Sequence, residues 1–340
     1  MPMKTIETKT GNREAMNQHL TDSTTGLLNF PAATNEFTEY EISKQSEAQL
    51  LKEKISSAYV NAIPQQNQIE NAMNEVFGTL KDYTTEMCDS IRYASQIQKA
   101  LLPGEQSLRR IMDCFVFNSP KDIVSGDFFW YTIRFNRVIL AVADCTGHGV
   151  PAALLSIIGH NMLNSIVNEK NITAPAEILK QMNQRIQRSF ENTEDGSDSI
   201  KDGMDLAIIS IDTQNATIDF AGARRPLCGF VNGEFVKIKG DLNSIGGHSP
   251  ISAEFTQHQV RFGAQDVFYL GSDGFADQFG GPNQKKIGSR QFEQFLNLLR
   301  FFNIKEQKKR SETFFLDWKK HNEQTDDVLL LGIKPGSMLC

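Results

Sequence analysis

The stretch VILAVADCTGHGVPAALLSIIGHNML, residues 138–163, decides the fold of this chain. It begins with an uninterrupted apolar run, which predicts a strand that is buried on both faces. The strand leads into the glycine-punctuated turn 144–149, and Pro151 then suits the first turn of a helix, where its missing N–H costs nothing. The helix would bury the face that carries Ala152, Leu155, Ile158 and Met162.

Asp144 stands at the end of this strand, beside glycines and a helix N-terminus. A carboxylate in such a place suits a hard cation, and backbone N–H groups at a helix start suit a phosphate. The alternative is an ordinary strand–helix turn in which Asp144 caps the helix. An isolated D-x-x-G-H-G motif does not distinguish these two interpretations. Further carboxylates at the ends of other strands would favour the cation site.

Three further segments place aspartates at the ends of strongly apolar strands. They are SGDFFW with Asp127, YLGSDG with Asp273, and TDDVLLL with Asp326 and Asp327. Strands of one core can bring such ends together, and clustered carboxylates repel one another unless a cation neutralises them. An all-oxygen site suits Mg²⁺ or Mn²⁺ rather than zinc. Two such ions, about 4 Å apart, can align a hydroxide for in-line attack on a phosphate.

Six segments together carry a family resemblance: SGDFFW, ADCTGHGVPAALLSIIG, DGMDLAIISID, FAGARRPL, YLGSDGFADQFGG and QTDDVLLLGI. They resemble, in the family's order, the SpoIIE/RsbU-type serine phosphatases, a bacterial branch of the metal-dependent (type 2C-like, PPM) protein phosphatases. The resemblance covers about residues 91–334. It implies an α+β fold, an αββα sandwich of two antiparallel sheets preceded by a long coiled-coil helix. It also implies hydrolysis of phosphoserine or phosphothreonine by a water that two metal ions activate.

The resemblance implies roles for individual residues as well. The metal ligands would be Asp127, Asp144, the backbone carbonyl of Cys145, Asp273 and Asp326. The cofactors would be Mn²⁺ or Mg²⁺, as two ions or with a third. Asp144 and Asp273 would thereby be catalytic, and Asp327 would support the turn beside them.

His148 and the pair Arg224-Arg225 have two readings each. His148 would be a general acid toward the leaving serine oxygen, since an imidazole titrates near pH ~6.5; alternatively it only orders its loop, which we favour. The arginines depart from the small or polar residues expected after the FAGA segment. An arginine there can pair with a phosphate, but a surface position at a strand end is the default.

The order of predicted strands and helices indicates an α+β layered domain independently of the family resemblance. Strands come in runs with helices grouped between them, which favours largely antiparallel sheets. Asn232-Gly233 predicts a two-residue hairpin. The predicted helices are 151–168, 174–190, 288–301 and 305–320. The predicted strands are 114–118, 127–134, 138–144, 204–212, 217–222, 227–231, 234–239, 255–261, 267–272 and 328–333.

The chain divides into four predicted regions. Residues 1–40 lack apolar periodicity and are expected to be disordered or loosely attached. Residues 41–102 carry apolar residues at alternating steps of three and four from Ile55 to Met87, the seam of a coiled coil, with a break near Pro64. We interpret this region as a dimerisation and regulatory helix; the alternative is an amphipathic helix that lies on its own domain. Residues 103–334 form the phosphatase-like domain, and 335–340 are a tail.

Composition narrows the class of protein. A net charge of −6 over 340 residues argues against a non-specific nucleic-acid binder. No apolar run approaches the ~20 residues that span a bilayer. The five cysteines lack CxxC spacing, which predicts a reducing cytoplasm without disulfides or a zinc site. The acid-rich segment 191–202 is expected to be a mobile surface loop.

The expected partners follow from the resemblance and from the helix. The family's usual substrate is a small anti-anti-sigma (STAS-type) protein in a partner-switching pathway. The helix predicts a homodimer, and a separate sensor or regulator would bind residues 1–100.

Two rival functions stay open. One is a phosphoprotein-binding scaffold of the same fold; loss of the metal aspartates would favour it, and all are present. The other is a different two-metal hydrolase of phosphoryl groups, such as a cyclase or nuclease, although the sequence has no P-loop and no basic aromatic patch. A cysteine-based tyrosine phosphatase is excluded, since there is no C-x5-R motif.

Overall fold

The computed structural model describes residues 46–57, 66–191 and 201–338. Their contacts form two units, of which the first ends at Met73 and the second begins at Asn74. Residues 46–57 form helix α1. The predictions for residues 1–40, for the break at Pro64 and for most of the loop 191–202 lie outside the described residues.

The second unit contains two antiparallel sheets. The five-stranded sheet has the order β1 (Asp113–Ser119), β13 (Val328–Lys334), β10 (Val267–Gly271), β6 (Leu227–Val231) and β7 (Glu234–Ile238). The six-stranded sheet has the order β2 (Phe128–Arg134), β3 (Arg137–Cys145), β4 (Gly203–Asp212), β5 (Thr217–Ala223) and β9 (His258–Arg261), with β8 (Ile245–Gly246) paired to β4. A separate ribbon joins β11 (Phe279–Gly280) to β12 (Lys285–Lys286).

Helices cover both outer faces of this sandwich. The six-stranded sheet packs against α4 (Val150–Leu163), which continues as the π-helical turn Asn164–Glu169, and against α5 (Pro175–Glu191). The five-stranded sheet packs against α7 (Gly288–Leu299) and α8 (Ile304–Lys319). A third apolar cluster fills the space between the sheets. The αββα sandwich predicted for this chain is therefore confirmed.

Three further α-helices and the 3-10 turn Pro335–Met338 complete the described residues. The helices are α2 (Gln66–Leu101), α3 (Glu105–Arg109) and the short α6 (Gly274–Asp277), which follows β10. Helix α2 ends one residue before the predicted Leu102, ahead of Pro103. Its predicted seam is largely exposed in the single chain; the side chains of Leu80 and Met87 are 53% and 48% exposed. Pairing of α2 with a second chain stays a prediction.

Strand β3 shows why its sequence is apolar without alternation. Val138, Leu140 and Val142 face the core between the sheets. Ile139 and Ala141 point the other way and pack under the helices on the outer face. Since neither face of the strand meets water, both sets of side chains stabilise the fold, by ~25 cal/mol for each Å² of apolar surface that they bury.

The predicted elements agree with the observed ones within a few residues. The Asn232-Gly233 hairpin is confirmed, since both residues have the positive φ, 51° and 84°, that a two-residue turn of this kind requires. The prediction for β9 began three residues too early, at 255 rather than His258. The pattern missed α3, α6, β8, β11 and β12, because segments of two to five residues carry too little periodicity.

One described segment, Val150–Glu169, is long and apolar enough to cross a membrane by length and composition. The sequence analysis considered uninterrupted apolar runs, and His160, Asn161 and Asn164 interrupt this one. In the fold, Ala152, Leu155, Leu163 and Ile166 of this segment are buried against the six-stranded sheet. It is the core helix of a layered domain.

Candidate metal centre

The aspartates predicted at strand ends lie together at one end of the sandwich. Asp127 precedes β2 and Asp144 is near the end of β3, and the pairing of Phe128 with Ala143 makes them neighbours. Asp273 follows β10 in the other sheet, and its backbone N–H donates to Asp144 Oδ2 over 3.3 Å. Asp326, ahead of β13, is close enough for its charge to act on Asp127. The two sheets thus contribute carboxylates to one cluster.

Asp127 is the most deeply buried member of the cluster. Asp127 is 2% exposed, and its Oδ2 has no hydrogen-bond partner among the residues that the structure describes. Burial, followed by the neighbouring charge of Asp144, raises the pKa of Asp127 well above its usual range, which a hydrogen bond with Ser272 only partly offsets. A buried carboxyl group of this kind requires either a proton or a nearby cation.

Asp144 and Asp326 are disfavoured as anions in the same way. Burial raises the pKa of Asp144 to about 7, and the carboxylate of Asp273 adds to the shift although Arg225 opposes it. Burial is also the main cause of the raised pKa of Asp326, which is only half-buried. The cluster is therefore short of positive charge.

Arg225, in the connection between β5 and β6, is the cation that contacts this cluster. Its Nη2 atom lies 2.7 Å from Asp205 Oδ2, 2.7 Å from Asp273 Oδ2 and 3.5 Å from Asp144 Oδ2. Its side chain is 15% exposed, whereas that of Arg224 is 59% exposed. The default expectation of a surface arginine is therefore wrong for Arg225, because the turn after β5 directs it inward; it holds for Arg224.

Asp205 is a site residue that sequence reasoning did not assign. It lies on β4 directly opposite Asp144 of β3, and its Oδ1 accepts a hydrogen bond from Ser244 Oγ over 2.7 Å. The signal was available in the segment DGMDLAIISID, where an aspartate stands at the beginning of an apolar strand, as Asp127 and Asp326 do in theirs.

Asp327 orders the loop that carries Asp127. It is 3% exposed; Oδ1 accepts from the backbone N–H of Lys121 and Oδ2 from that of Gly126, each over 2.7 Å. Both oxygens are thus used within the protein, which suits the supporting role predicted for this residue.

Gln98 of α2 holds the same loop from the other side. Its Nε2 donates to the backbone oxygen of Ser125 over 2.6 Å and to Ser156 Oγ over 2.9 Å, and its Oε1 accepts from the N–H of Ser125 over 3.2 Å. The glutamine is buried. The long helix is therefore hydrogen-bonded to the residue two positions before Asp127.

We expect Gln98→Ala to lower the free energy of unfolding by about 2 kcal/mol, because it leaves buried groups of Ser125 and Ser156 without their partner. Gln96→Ala is the matched control, since Gln96 is exposed on the same helix and the change in helix propensity is identical. Urea denaturation of both variants measures the difference. Equal unfolding midpoints would show that the contacts of Gln98 contribute nothing to stability.

His148 and Cys145 lie in the turn after β3. His148 Nδ1 is 2.7 Å from Asp122 Oδ2, and both side chains are about half exposed. This contact ties the turn to the segment before β2. Cys145 is the buried last residue of β3. The roles of His148 as a general acid and of the Cys145 carbonyl as a ligand stay predictions.

The donor set fits a hard divalent cation. Its members are carboxylate oxygens, they raise one another's pKa, and Asp127 Oδ2 is buried without a partner. Within the described ranges, no three His, Cys, Asp or Glu side chains already stand in positions to hold one ion. Asp127, Asp144, Asp273 and Asp326 are the residues that could hold such a metal, and their role as ligands stays a prediction.

A two-sheet αββα sandwich with an aspartate cluster at one end defines the class of PP2C-type domains. The fold matches the SiaA-PP2C domain of Pseudomonas aeruginosa with a TM-score of 0.66 and 27% identity, over 74% of this chain and 98% of that domain. It also matches the PP2C phosphatase domain and regulatory fragment of SpoIIE from Bacillus subtilis, with a TM-score of 0.52 and 18% identity, over 66% of this chain and 62% of that one.

Residues 135–335 match the family model described as Stage II sporulation protein E (SpoIIE). Since the match covers more than half of the sequence, the chain belongs to the SpoIIE family. The phosphoserine phosphatase RsbU of Bacillus subtilis (strain 168) is 27% identical over 114 residues, which are 33% of this chain and 33% of RsbU. The alignment thus spans about a third of RsbU. The resemblance drawn from the sequence motifs is confirmed.

Proposed function

We propose that this chain is a metal-dependent protein phosphatase that hydrolyses phosphoserine or phosphothreonine in a partner protein. The observation that carries the proposal is the convergence of Asp127, Asp144 and Asp273 from two sheets in a chain of the SpoIIE family. The relative named phosphoserine phosphatase RsbU supports the same substrate chemistry.

The chemistry is hydrolysis without a phosphoenzyme. Two Mn²⁺ or Mg²⁺ ions, when bound, would neutralise the phosphate charge and activate a water for in-line attack. The aspartates would hold the cations, and Asp327 and Gln98 keep the loop of Asp127 in place. The water oxygen forms a bond to phosphorus and gives up one proton to solvent, the bond from phosphorus to the serine oxygen breaks, and the serine oxygen takes up one proton. His148 is the candidate donor of this proton, although its contact with Asp122 supports the loop-ordering role that we favour.

The expected partners extend this proposal. We infer a cytoplasmic, STAS-type phosphoprotein substrate, as the family resemblance implies. The exposed apolar stripe of α2 supports a homodimer. A regulator that binds residues 1–100 would act on the loop of Asp127 through α2, since Gln98 joins the two.

The test is hydrolysis of a phosphoserine peptide by the full-length chain in Mn²⁺, in Mg²⁺ and in EDTA. We expect turnover with a divalent ion, a fall to background in EDTA and recovery when excess Mn²⁺ is restored. Release of inorganic phosphate measures each condition.

The rival functions predict different results in the same assay. Tight binding of the phosphopeptide without phosphate release, in every metal, would indicate the scaffold. Turnover of a phosphodiester without turnover of phosphoserine would indicate another two-metal hydrolase. Turnover that is unchanged in EDTA would contradict the metal-dependent mechanism.

A further inference from the structure

We propose that Arg225 competes with divalent cations for the carboxylates of Asp144 and Asp273, so that a cation must displace its guanidinium from them in order to bind. The inference concerns how this chain controls its affinity for metal, and it rests on the metal site of the proposed function.

The contacts show one positive group shared among several negative ones. A single nitrogen, Arg225 Nη2, lies 2.7 Å from an oxygen of Asp273 and 3.5 Å from one of Asp144. Asp127, one strand away, receives no such contact and keeps an unpartnered buried oxygen. One guanidinium therefore neutralises the cluster only in part, so a divalent ion would compete for oxygens that Arg225 already contacts.

Arg225 does not have all of its hydrogen-bond donors paired, as the arginine of a purely structural buried ion pair would. Its Nε is buried and finds no hydrogen-bond partner within the described ranges of the chain. A structural pair in the interior persists when every donor is used, because each unpaired buried group costs free energy. The arrangement thus favours exchange of Arg225 for a better cation.

Asp205 supplies the place to which the arginine can withdraw. Its Oδ2 also lies 2.7 Å from Arg225 Nη2, and its Oδ1 is held by Ser244 Oγ over 2.7 Å. Arg225 can leave Asp144 and Asp273 without losing its last carboxylate. Displacement then costs less free energy than leaving a buried arginine without any carboxylate partner.

The experiment is Mn²⁺ titration calorimetry on the full-length chain and on Arg225→Gln. We expect the variant to bind Mn²⁺ at least about tenfold more tightly, because the competing charge is gone. In EDTA the same variant should melt at a lower temperature than wild type, because the carboxylates lose their counterion. Neither readout depends on turnover.

Two variants separate contact from net charge. Arg224→Gln removes the same charge from an exposed side chain whose Nε is 3.8 Å from Asp205, and we expect Mn²⁺ affinity within about twofold of wild type. Arg225→Lys keeps the charge but loses the multiple contacts of a planar guanidinium, and its affinity should lie between those of wild type and the glutamine variant.

A measurement on wild type covers the case in which Arg225→Gln does not fold. In a chain whose arginines are labelled with ¹⁵N, the Nε signal of Arg225 is identified by its absence from Arg225→Lys. Binding of Mg²⁺ to wild type should shift this signal. A signal that stays in place while Mg²⁺ binds would overturn the inference. So would an Arg225→Gln affinity equal to or weaker than that of wild type, which would make Arg225 a support for the ligands. Absence of Mn²⁺ binding by wild type would instead refute the proposed function itself.

Discussion

Asp144→Asn is expected to lower the turnover of a phosphoserine peptide by at least about a hundredfold, the scale of losing one preorganised electrostatic contact at a reacting centre. Asparagine has nearly the same shape, so it can still accept the hydrogen bond that Asp273 N–H donates to Asp144 Oδ2. It lacks the negative charge that would hold a cation between the two sheets. Initial rates at saturating Mn²⁺ measure the effect.

Stability distinguishes this loss from a failure to fold. Burial raises the folded-state pKa of Asp144 to about 7, above its unfolded value. A group with a raised pKa stabilises the fold while it is protonated, and this contribution is lost as the pH rises through about 7. At pH ~8 in EDTA the ionised wild-type side chain therefore costs stability, and the asparagine variant should melt at the same temperature or higher.

Asp317→Asn is the matched control. Asp317 is exposed on α8, outside the aspartate cluster, and the substitution removes the same charge. Its turnover should equal that of wild type. Undiminished turnover in Asp144→Asn would remove Asp144 from the centre and, with it, the two-sheet metal site.

Gly274→Ala is expected to lower the free energy of unfolding by about 3 kcal/mol, at the upper end for overpacking. A Cβ at Gly274 would lie 1.9 Å from the backbone oxygen of Asp327, and a backbone atom cannot rotate away. The clash would separate the turn of Asp273 from the loop of Asp327. Urea denaturation measures the stability, and calorimetry should show weaker Mn²⁺ binding as well.

Gly78→Ala provides the opposite case. Gly78 is in the middle of α2, and a Cβ there would have no atom within 4 Å. Alanine favours a helix over glycine by roughly 1 kcal/mol, so this variant should be neutral or more stable. If the two substitutions had equal effects, the close approach of Gly274 to Asp327 would have no energetic consequence.

Much of the fold could be predicted because its strands are buried on two faces. The apolar runs of β3, β4, β10 and β13 follow from the layered sandwich, and an aspartate at the end of such a run is conspicuous in a sequence. Short elements escaped because two residues carry no periodicity: β8 is held by pairing with the distant strand β4, and β11 by pairing with its neighbour β12.

The metal centre likewise contains residues that the sequence indicated and residues that it did not. Asp127, Asp144, Asp273 and Asp326 were accessible to sequence reasoning, because each interrupts an apolar pattern at a strand end. Arg225 was not, since an arginine after a strand is by default exposed and only the turn at Arg224, with φ of 61°, directs its neighbour inward.

The sequence by itself determined the layered fold, the family and the aspartates that can bind metal, because burial on two faces and charges at strand ends leave local patterns. Only the tertiary structure decided that Arg225 and Asp205 belong to the centre and that Gln98 holds its loop. The hydrogen bonds of Gln98 join residues 27 to 58 positions apart, and those of Arg225 to Asp205 and Asp273 join residues 20 and 48 positions apart. Such pairings are set by how the sheets and α2 pack, and no spacing along the chain encodes them.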